Sequence, residues 1–592
     1  MASPGPAHHY RHRGPETRSE EEIRDEIVID EAEHRIAHPI LRPLPLQTGT
    51  SDIDLRHLLN DYDVVMQQLH DIIRAHGIQI WGYEFAHRVP PGVVPTDGTE
   101  VTLVIKSTDF DRFEWEEAVV QVAKKVAQLR NPGPTIVVEI IDYRAVNPFT
   151  YPIPASDDEL IKAWEHWMGQ TIMECMSDME WQTLGLQGRA LVPDMAQCRQ
   201  TVLITAWDAS SPYWTVLKAN ISQVTQSFNL AIIVRQAQPW CGAGRRRGSR
   251  AVENMGSLFW APPVRIGQSM GPVTVPPEVR GTGSVGGKLT LQDNDGDETT
   301  AIMTCYHVVE TNALAAASAP PPLCLDQTTT AFPVHSPSDR DTSAKLELYD
   351  ARIEALNEWL YGGNPSRALK VELGKTIAYF EETKIQLDAI LADRARVAAA
   401  PRLFGHVFAH SGCCRIAGPN NAPLDWALMT LAAPRLLENE FPSAYAGTPG
   451  LFDGSHWQLK DVPGWSVAKI GSDCNVMKCG RSTGWTTGKL STTKSWIQLG
   501  EKEPWKSSYG SVVSALMVHN DAEVKTEMGQ TTFSEGGDSG SWVFDTETGA
   551  WIGVLFGGPL YEEYAYITPV DIILRDVEEV TGKKVVEPKE MK

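Results

Sequence analysis

The amino-acid sequence predicts a multidomain α+β protein, in which two tandem αββαβ units precede an all-β domain that contains a helical-hairpin insertion. Three observations support this fold class. The chain has 592 residues, enough for about four domains of roughly 150 residues each. One order of helices and strands occurs twice in the N-terminal half. After residue 262, short strands with glycine-containing turns replace that pattern.

The composition is that of an acidic globular protein. Hydrophobic residues make up 42% of the chain, and 75 Asp and Glu against 53 Lys and Arg give a formal net charge of −22. Nucleic acid and anionic membranes both need a basic surface, so we expect neither as a partner. The nine cysteines are few for this length, and the N-terminus has no apolar signal segment. We therefore expect an intracellular, cytoplasmic protein with reduced thiols.

Residues 1–45 are predicted to form a disordered tail, because charged clusters and then Pro39, Pro43 and Pro45 precede any core-forming pattern. Residues 46–145 and 146–238 are predicted to be α/β repeats 1 and 2. Corresponding positions such as Trp115 and Trp214 recur at a nearly constant offset, which favours a duplication. Neither repeat has a phosphate-binding glycine loop, metal-ligand spacing or a catalytic cluster. A structural or partner-binding role is therefore expected for both.

Residues 239–261 combine glycines with an arginine run and are expected to be a solvated linker. A localisation patch or an exposed cleavage site is the alternative interpretation. The all-β domain is predicted over residues 262–582, with a C-terminal tail over residues 583–592.

Three segments of the all-β domain together indicate nucleophilic catalysis by serine. GGDSGS places Ser539 beside glycines, TCYHVV places His307 at the end of a predicted strand, and LDWALMTL places Asp425 at the start of one. Acyl transfer by serine needs a hydroxyl, an imidazole base and a buried carboxylate that fixes the imidazole tautomer. It also needs backbone N–H groups directed at the oxyanion, and glycine beside the serine permits the necessary turn.

These motifs, in the order His, Asp, Ser, resemble those of the trypsin-like (chymotrypsin-fold) serine proteases over residues 262–582. The resemblance implies a double β-barrel in which Ser539 is the nucleophile, His307 the general base and then acid, and Asp425 the orienting carboxylate. It also implies an oxyanion hole formed by the backbone N–H groups of Gly537 and Ser539.

The same resemblance assigns four residues to substrate binding. Phe533 would line the base of the primary pocket, and Phe556, Gly557 and Gly558 would form the strand edge that pairs with the substrate backbone. Relatives that cleave after Lys or Arg have Asp in place of Phe533. Without a buried carboxylate to pair a substrate cation, we do not expect a preference for basic residues. Because Gly557 and Gly558 would leave the mouth of the pocket open, we expect a medium or large apolar side chain to be preferred.

The sequence departs from secreted relatives at two points. Val308 stands where these relatives carry a disulfide-bonded cysteine after the catalytic histidine, which agrees with an intracellular protein. Relatives activated by cleavage expose an aliphatic N-terminus followed by two glycines, and Ile266, the nearest candidate, lacks that pair. Zymogen activation is therefore not expected, and Asp538 needs another means of ordering its loop.

Residues 311–400 form an insertion between the histidine and the aspartate, and residues 341–398 within it are predicted to be a helical hairpin that turns at residues 362–363. Apolar residues repeat every three or four positions, which predicts that the two helices pack against each other. A coiled-coil docking surface or a lid over the cleft is the functional alternative.

No cofactor and no metal are predicted. The residues His406, His410, Cys413 and Cys414 resemble a zinc set, but they follow a strand pattern. On a strand these histidines share a face without converging on a tetrahedral site.

The sequence therefore predicts an intracellular serine endopeptidase that cleaves peptide bonds through an acyl-enzyme, by limited proteolysis of a specific protein partner. The expected partners are a protein or peptide substrate and a protein bound by the N-terminal repeats or by the hairpin. Two alternatives stay open: a catalytically silent scaffold of the trypsin fold, and a self-processing signalling protein that cuts its own linker.

Overall fold

The protein is described by a computed structural model that divides into two compact units. Unit 1 comprises Met1–Phe149, Ile172–Trp181 and Arg189–Ala237, and unit 2 comprises Thr150–Thr171, Gln182–Gly188 and Gln238–Lys592. Within these units, the structure describes residues 19–49, 59, 62–96, 99–129, 136–238, 252, 257–260, 263–273, 282–317, 321–361, 376–412, 415–418, 421–432, 437–438, 474–498, 512–520, 532–547, 549–559 and 564–586.

Helices and strands are mixed throughout, so the predicted α+β class is confirmed at that level. Between residues 19 and 238 the order helix, strand, strand, helix, strand occurs twice, from α2 to β6 and from α4 to β10. The elements are α1 Glu20–Asp25, β1 Val28–Asp30, β2 Arg35–His38, β3 Gln47–Gly49, α2 Tyr62–Ala75, β4 Gly82–Val89, β5 Val101–Ser107, α3 Arg112–Leu129, β6 Ile136–Asp142, β7 Phe149–Tyr151, α4 Asp158–Ala163, α5 Gly169–Cys175, β8 Trp181–Ala190, β9 Arg199–Ala206, α6 Tyr213–Val224 and β10 Ala231–Gln236.

The main sheet of unit 1 has six strands in the order β1-β2-β6-β5-β4-β3. Only β5 and β6 run parallel among these pairs, because α3 supplies the crossover between them. One face of α3 is fully buried, with Trp115, Val119 and Val122 at 0% exposure, and packs with Leu103 and Ile105 of β5. The apolar spacing of this helix therefore gives one wall of the core.

Residues 20–38 form ordered elements, whereas the sequence predicted a disordered tail over residues 1–45. Ser19 and Glu22 form a capping box at the start of α1, and β2 pairs with β6 in the interior of the sheet. In β2, the guanidinium of Arg35 donates to Glu139 at 2.7 and 2.9 Å. Charges that look solvated in the sequence are buried here because each has a partner of opposite sign.

Unit 2 contains the elements of the C-terminal half. They are β11 Val264–Arg265, β12 Ser269–Pro272, β13 Gly283–Ser284, β14 Gly287–Gln292, β15 Glu298–Thr304, α7 Tyr306–Val309, α8 Asn312–Ala317, β16 Leu323–Cys324, β17 Pro333–His335, α9 Asp339–Tyr361, α10 Thr376–Ala399, β18 Leu403–His410, β19 Arg415–Ala417, β20 Ala422–Leu424, β21 Ala427–Leu431, β22 Leu437–Glu438, β23 Asn475–Gly480, β24 Gly484–Gln498, β25 Val512–Asn520, β26 Trp542–Asp545, β27 Trp551–Gly557, β28 Tyr564–Pro569, α11 Val570–Thr581 and β29 Lys584–Val586.

Six strands of unit 2 close into an antiparallel β-barrel, in the order β23-β24-β25-β28-β27-β26 and back to β23. Its core is apolar and includes Val476, Leu490, Val518, Val543 and Ile567, each at 0% exposure. A second sheet has the order β13-β12-β17-β18-β21-β15-β14-β29, with β16 paired to β18. The structure therefore shows one closed barrel and further sheets.

The compact units divide the chain differently from the predicted boundary between the repeats and the all-β domain. Residues 150–171 and 182–188 group with the barrel because β24 pairs with β8, where Trp496 lies opposite Leu184. The indole of Trp164 also donates to the carbonyl of Lys494 at 2.9 Å. The domain boundaries given in the sequence analysis stay predictions.

The insertion contains the long helices α9 and α10, which pack against each other. Tyr349 of α9 and Ile390 and Val397 of α10 form one apolar cluster with Trp260, and the Trp260 indole donates to Thr342 at 3.0 Å. Trp260 is only 1% exposed. This end of the predicted linker is therefore not solvated, because the hairpin needs its indole to complete an apolar core.

Some predictions fall outside the described residues. These concern residues 1–18 of the tail, most of the linker 239–261, the hairpin turn at 362–363, Cys413 and Cys414, and residues 587–592. Among the helices that the structure describes, none combines the length and apolar composition needed to cross a bilayer.

Candidate active site

The three residues predicted to carry the chemistry lie at the ends of strands in unit 2. His307 is in α7, the short helix that directly follows β15, and Asp425 lies between β20 and β21. Ser539 lies just before β26, in a turn that we call the serine loop, residues 535–541. Because β15 pairs with β21, placing Thr304 opposite Ala427, the histidine and the aspartate emerge side by side.

His307 and Asp425 form two hydrogen bonds. The ring Nδ1 lies 2.5 Å from one carboxylate oxygen of Asp425, and the His307 backbone N–H donates to the other at 3.0 Å. The Tyr306 backbone N–H also donates to the Asp425 carbonyl at 3.2 Å. Asp425 is 6% exposed. A buried carboxylate on Nδ1 fixes the ring orientation and assigns the Nδ1 proton, so that Nε2 can act as a base.

The serine loop is joined to the histidine segment through one carbonyl. Leu555 of β27 accepts hydrogen bonds from the Gly540 N–H at 2.9 Å and from the Cys305 thiol at 3.3 Å. Cys305 immediately precedes α7. Its sulfur, a ring nitrogen of His307 and a carboxylate oxygen of Asp425 all lie within 4.8 Å of one another. The fold therefore brings the three motifs together.

Ser539 is 1% exposed, and its hydroxyl donates to the Phe556 carbonyl at 3.3 Å. Its own carbonyl accepts from the Ser284 N–H at 2.8 Å, which fixes the loop to β13. The Ser539 hydroxyl therefore bonds to β27 in this structure. Catalytic hydrogen bonds often form with good geometry only once substrate is bound.

The serine loop orients two backbone N–H groups. The Gly536 carbonyl accepts from the Ser482 hydroxyl at 2.7 Å, and the Asp538 carbonyl accepts from the Ser541 hydroxyl at 2.6 Å. In a trans peptide the following N–H points the opposite way, so those of Gly537 and Ser539 point away from these donors. Within the described part of the chain, neither N–H donates a hydrogen bond. Two such groups can stabilise developing negative charge on a carbonyl oxygen.

Gly537 has φ +106°, a conformation that favours glycine. A Cβ at this position would also overlap the guanidinium of Arg481. Glycine is therefore required here both by the backbone and by the neighbouring side chain.

Asp538 is fully buried and binds Lys478 of β23, with 3.1 Å between Nζ and the carboxylate. The carboxylate also accepts from the Ser482 N–H at 2.7 Å, the Thr483 hydroxyl at 2.7 Å and the Glu535 N–H at 3.0 Å. Burial would raise the pKa of Asp538, but the Lys478 ammonium and these donors hold it below its usual value. An internal lysine therefore fixes the residue before the serine.

The residues assigned to substrate binding lie in or beside the closed barrel. The Phe533 side chain is 1% exposed within the barrel core, and the Lys478 ammonium lies 5.5 Å from its ring centroid. Phe556 stacks on Tyr566 at 6.4 Å, and Gly557 pairs with Tyr566 across the sheet.

Gly558 lies where a Cβ would come within 2.9 Å of the Tyr564 carbonyl, so β27 and β28 approach closely there. A larger residue would push the strand edge away from its neighbour. This close approach gives Gly558 a packing reason that does not depend on substrate.

Only one group of residues in the described part of the chain has donors placed closely enough for a metal ion: Cys305, His307 and Asp425. Burial, followed by the Asp425 charge, raises the pKa of the Cys305 thiol well above its usual value, so the thiolate that metals prefer is disfavoured. Among the residues that resemble a zinc set, His410 has structural contacts. His410 Nδ1 accepts from the Gly412 N–H at 2.9 Å, and its ring lies 4.3 Å from that of Tyr306.

Sequence reasoning missed four residues around the serine loop: Cys305 as a bridge, Lys478 as the partner of Asp538, and the pair Asp341 and Arg481. A basic residue in the strand–turn segment MKCGRS carries no local signal of burial. The one available hint was that Asp538 needed a partner.

The comparisons with known proteins give no family for this chain. No protein-family model matches it, and no curated protein matches its sequence.

Proposed function

We propose that this protein is a serine endopeptidase of the trypsin-like type, in which Ser539 attacks the scissile carbonyl. His307 would take the serine proton and later give it to the leaving amine, while Asp425 orients the imidazole. The N–H groups of Gly537 and Ser539 would bind the oxyanion. The predicted double barrel would be the closed barrel together with the sheet that carries β15 and β21.

The observation that carries the proposal is the doubly hydrogen-bonded pair of His307 and buried Asp425, joined through the Leu555 carbonyl to the loop of Ser539. Each of these residues alone has a structural explanation. A buried carboxylate on Nδ1, together with a glycine-followed serine whose loop has two backbone N–H groups that donate to no described residue, is the arrangement that acyl transfer requires.

Two features of the site indicate the substrate class. A strand edge at Phe556–Gly558 suits an extended peptide that adds to the barrel by backbone hydrogen bonds. No buried carboxylate stands at Phe533 to pair a basic side chain, so an apolar side chain before the cleaved bond remains the proposal. Limited proteolysis of a protein partner inside the cell is part of the same proposal.

A catalytically silent scaffold is the second candidate, and one observation favours it: the Ser539 hydroxyl donates to the Phe556 carbonyl. A serine held in this way without exchange would not be activated. The self-processing alternative concerns the linker, most of which lies outside the described residues.

The test is labelling of the purified full chain by a fluorophosphonate, which reacts with activated serines. We expect labelling of the wild type and none of Ser539→Ala or His307→Ala. Ser495→Ala is the matched control, because Ser495 is also a buried serine of the barrel and lies in β24. Absence of wild-type labelling in a folded sample would favour the scaffold. Cleavage of an unfolded protein substrate, lost in Ser539→Ala, would then separate a peptidase from other serine hydrolases.

A further inference from the structure

The helical-hairpin insertion contributes a buried carboxylate to the vicinity of the serine loop. Asp341 lies in the first turn of α9 and is 1% exposed. It pairs with the guanidinium of Arg481, with Nε donating to one oxygen at 2.6 Å and Nη2 donating to the other. The Ser269 hydroxyl donates to the same carboxylate at 2.5 Å. This bidentate hydrogen bonding between Arg481 and Asp341 fixes the plane of the guanidinium group.

The other side of Arg481 contacts the serine loop. Its Nη1 donates to the Ser482 hydroxyl at 3.0 Å, and that hydroxyl donates to the Gly536 carbonyl at 2.7 Å. The Arg481 backbone N–H donates to the Ser284 hydroxyl at 2.9 Å, which in turn donates to the Gly537 carbonyl at 3.1 Å. The two carbonyls that flank the Gly537 N–H are therefore both held by groups bonded to Arg481.

We propose that Asp341 and Arg481 are positioning residues through which the helical hairpin sets the orientation of the Gly536–Gly537 peptide, and thereby of the Gly537 N–H. The inference rests on the proposed function for its catalytic meaning, since that N–H is the proposed oxyanion donor. The pair itself touches no reacting atom.

A physical reason links the pair to the direction of the peptide. Ser482 has one hydroxyl proton, and accepting from Arg481 directs that proton towards the Gly536 carbonyl. Without Arg481, the hydroxyl can rotate and the carbonyl loses its fixed donor. Gly537 has no Cβ to resist a rotation of the peptide, and rotation would turn its N–H away from the oxyanion position.

The insertion is thus more than a docking surface in this proposal. Burial would raise the pKa of Asp341, but Arg481 and Ser269 hold it below its usual value, so the carboxylate is charged at neutral pH. Removing the hairpin would leave the Arg481 cation buried without its counter-ion.

The experiment compares Arg481→Met, Arg481→Lys and Asp341→Asn with the wild type in the full chain. Two quantities are measured: the fluorophosphonate labelling rate across pH, and hydrogen–deuterium exchange of the peptide covering residues 532–545. We expect Arg481→Met and Asp341→Asn to label at least about tenfold more slowly, since small misplacements of catalytic groups have effects of this size. Exchange in the serine loop should become faster, and Arg481→Lys should recover part of both losses.

The pH at which labelling is half-maximal should stay unchanged, because the His307–Asp425 pair is not altered. Arg402→Met is the matched control, as Arg402 pairs with Asp339 in the same helical turn but does not contact the serine loop. It should keep the wild-type labelling rate and the wild-type exchange of residues 532–545.

The double variant Asp341→Asn/Arg481→Met removes both buried charges and guards against simple unfolding. Slow labelling and fast loop exchange in a double variant of wild-type thermal stability would support the proposal. The proposal would be overturned if the double variant recovered the wild-type labelling rate and loop exchange along with wild-type stability. Wild-type loop exchange in the single variants would also overturn it. A wild type that does not label would refute the proposed function alone, because loop exchange still decides this inference.

Discussion

The ammonium nitrogen of Lys478 lies 3.1 Å from a carboxylate oxygen of Asp538, and both side chains are completely buried. Asp538 directly precedes the proposed nucleophile, so this ion pair anchors the serine loop to β23 of the closed barrel. The pair needs no newly formed chain terminus. The uncleaved chain therefore holds this loop through its own side chains.

Replacing Lys478 by Met should destabilise unit 2 by about 3–5 kcal/mol, because it leaves a buried carboxylate without its cation. Urea unfolding followed by tryptophan fluorescence measures this change. The matched control is Lys162→Met, which removes an exposed Lys–Asp pair whose side chains are 65% and 61% exposed. Exposed pairs of this kind contribute only about 0.5 kcal/mol. Equal losses in the two variants would contradict a structural role for the buried pair.

Replacing Gly537 by Ala should slow fluorophosphonate labelling by about 10²–10³-fold, the effect of losing one oxyanion donor. Alanine would meet the Arg481 guanidinium and would strain a backbone with φ +106°. Gly549→Ala is the control, since Gly549 has φ +67° with no atom within 4 Å of an added Cβ. Alanine at Gly549 carries the left-handed backbone strain of about 1–2 kcal/mol without the overlap. The idea fails if both variants label like the wild type.

Unit 2 should lose stability as the pH falls below neutrality, partly because of His519. This side chain is 0% exposed, and neither ring nitrogen has a hydrogen-bond partner among the described residues. Burial lowers its pKa from 6.5 to about 3. The unfolded chain takes up the proton first, so the stabilisation is present above pH 6.5 and is lost as the pH falls towards 3.

Between pH 7 and pH 5 this loss should amount to about 2 kcal/mol for His519, since one pH unit corresponds to about 1.4 kcal/mol per proton. Urea unfolding at the two pH values measures it, and His519→Leu should reduce the difference by that amount. His166→Leu, a change at an exposed histidine, should leave the difference unaltered. An unchanged difference in His519→Leu would show that the ring is already protonated when folded.

Replacing Glu33 by Gln should destabilise unit 1 by about 3–5 kcal/mol. Both carboxylate oxygens of Glu33 accept from Arg235 at 2.9 Å, and Arg189 lies 3.7 Å away. Burial would raise the pKa of Glu33, but these arginines lower it to about 2. Glu31→Gln is the control, because it breaks only the exposed pair with Arg112. Thermal unfolding that is equally affected by the two changes would rule out the buried cluster as a stabilising element.

Much of the secondary structure can be predicted from the sequence, because it depends on the local periodicity of apolar residues. The apolar positions of α3, including Trp115 and Val119, repeat at helical spacing and are buried as expected. The disordered tail predicted over residues 1–45 does not account for the ordered elements between residues 19 and 45, and the reason is physical. Glu33 and Arg35 look like solvated charges in the sequence, and only their distant partners in the folded chain make them part of a core.

The sequence by itself determined the mixed α+β class, the change to short strands after residue 262, and the three motifs that nominate Ser539, His307 and Asp425. These are local properties of residue type and spacing. Only the tertiary structure decided what surrounds the motifs, because Lys478 is 60 residues from Asp538 and Arg481 is 140 residues from Asp341. A buried ion pair depends on two distant residues reaching one dry site, and neither segment alone carries a signal of that meeting.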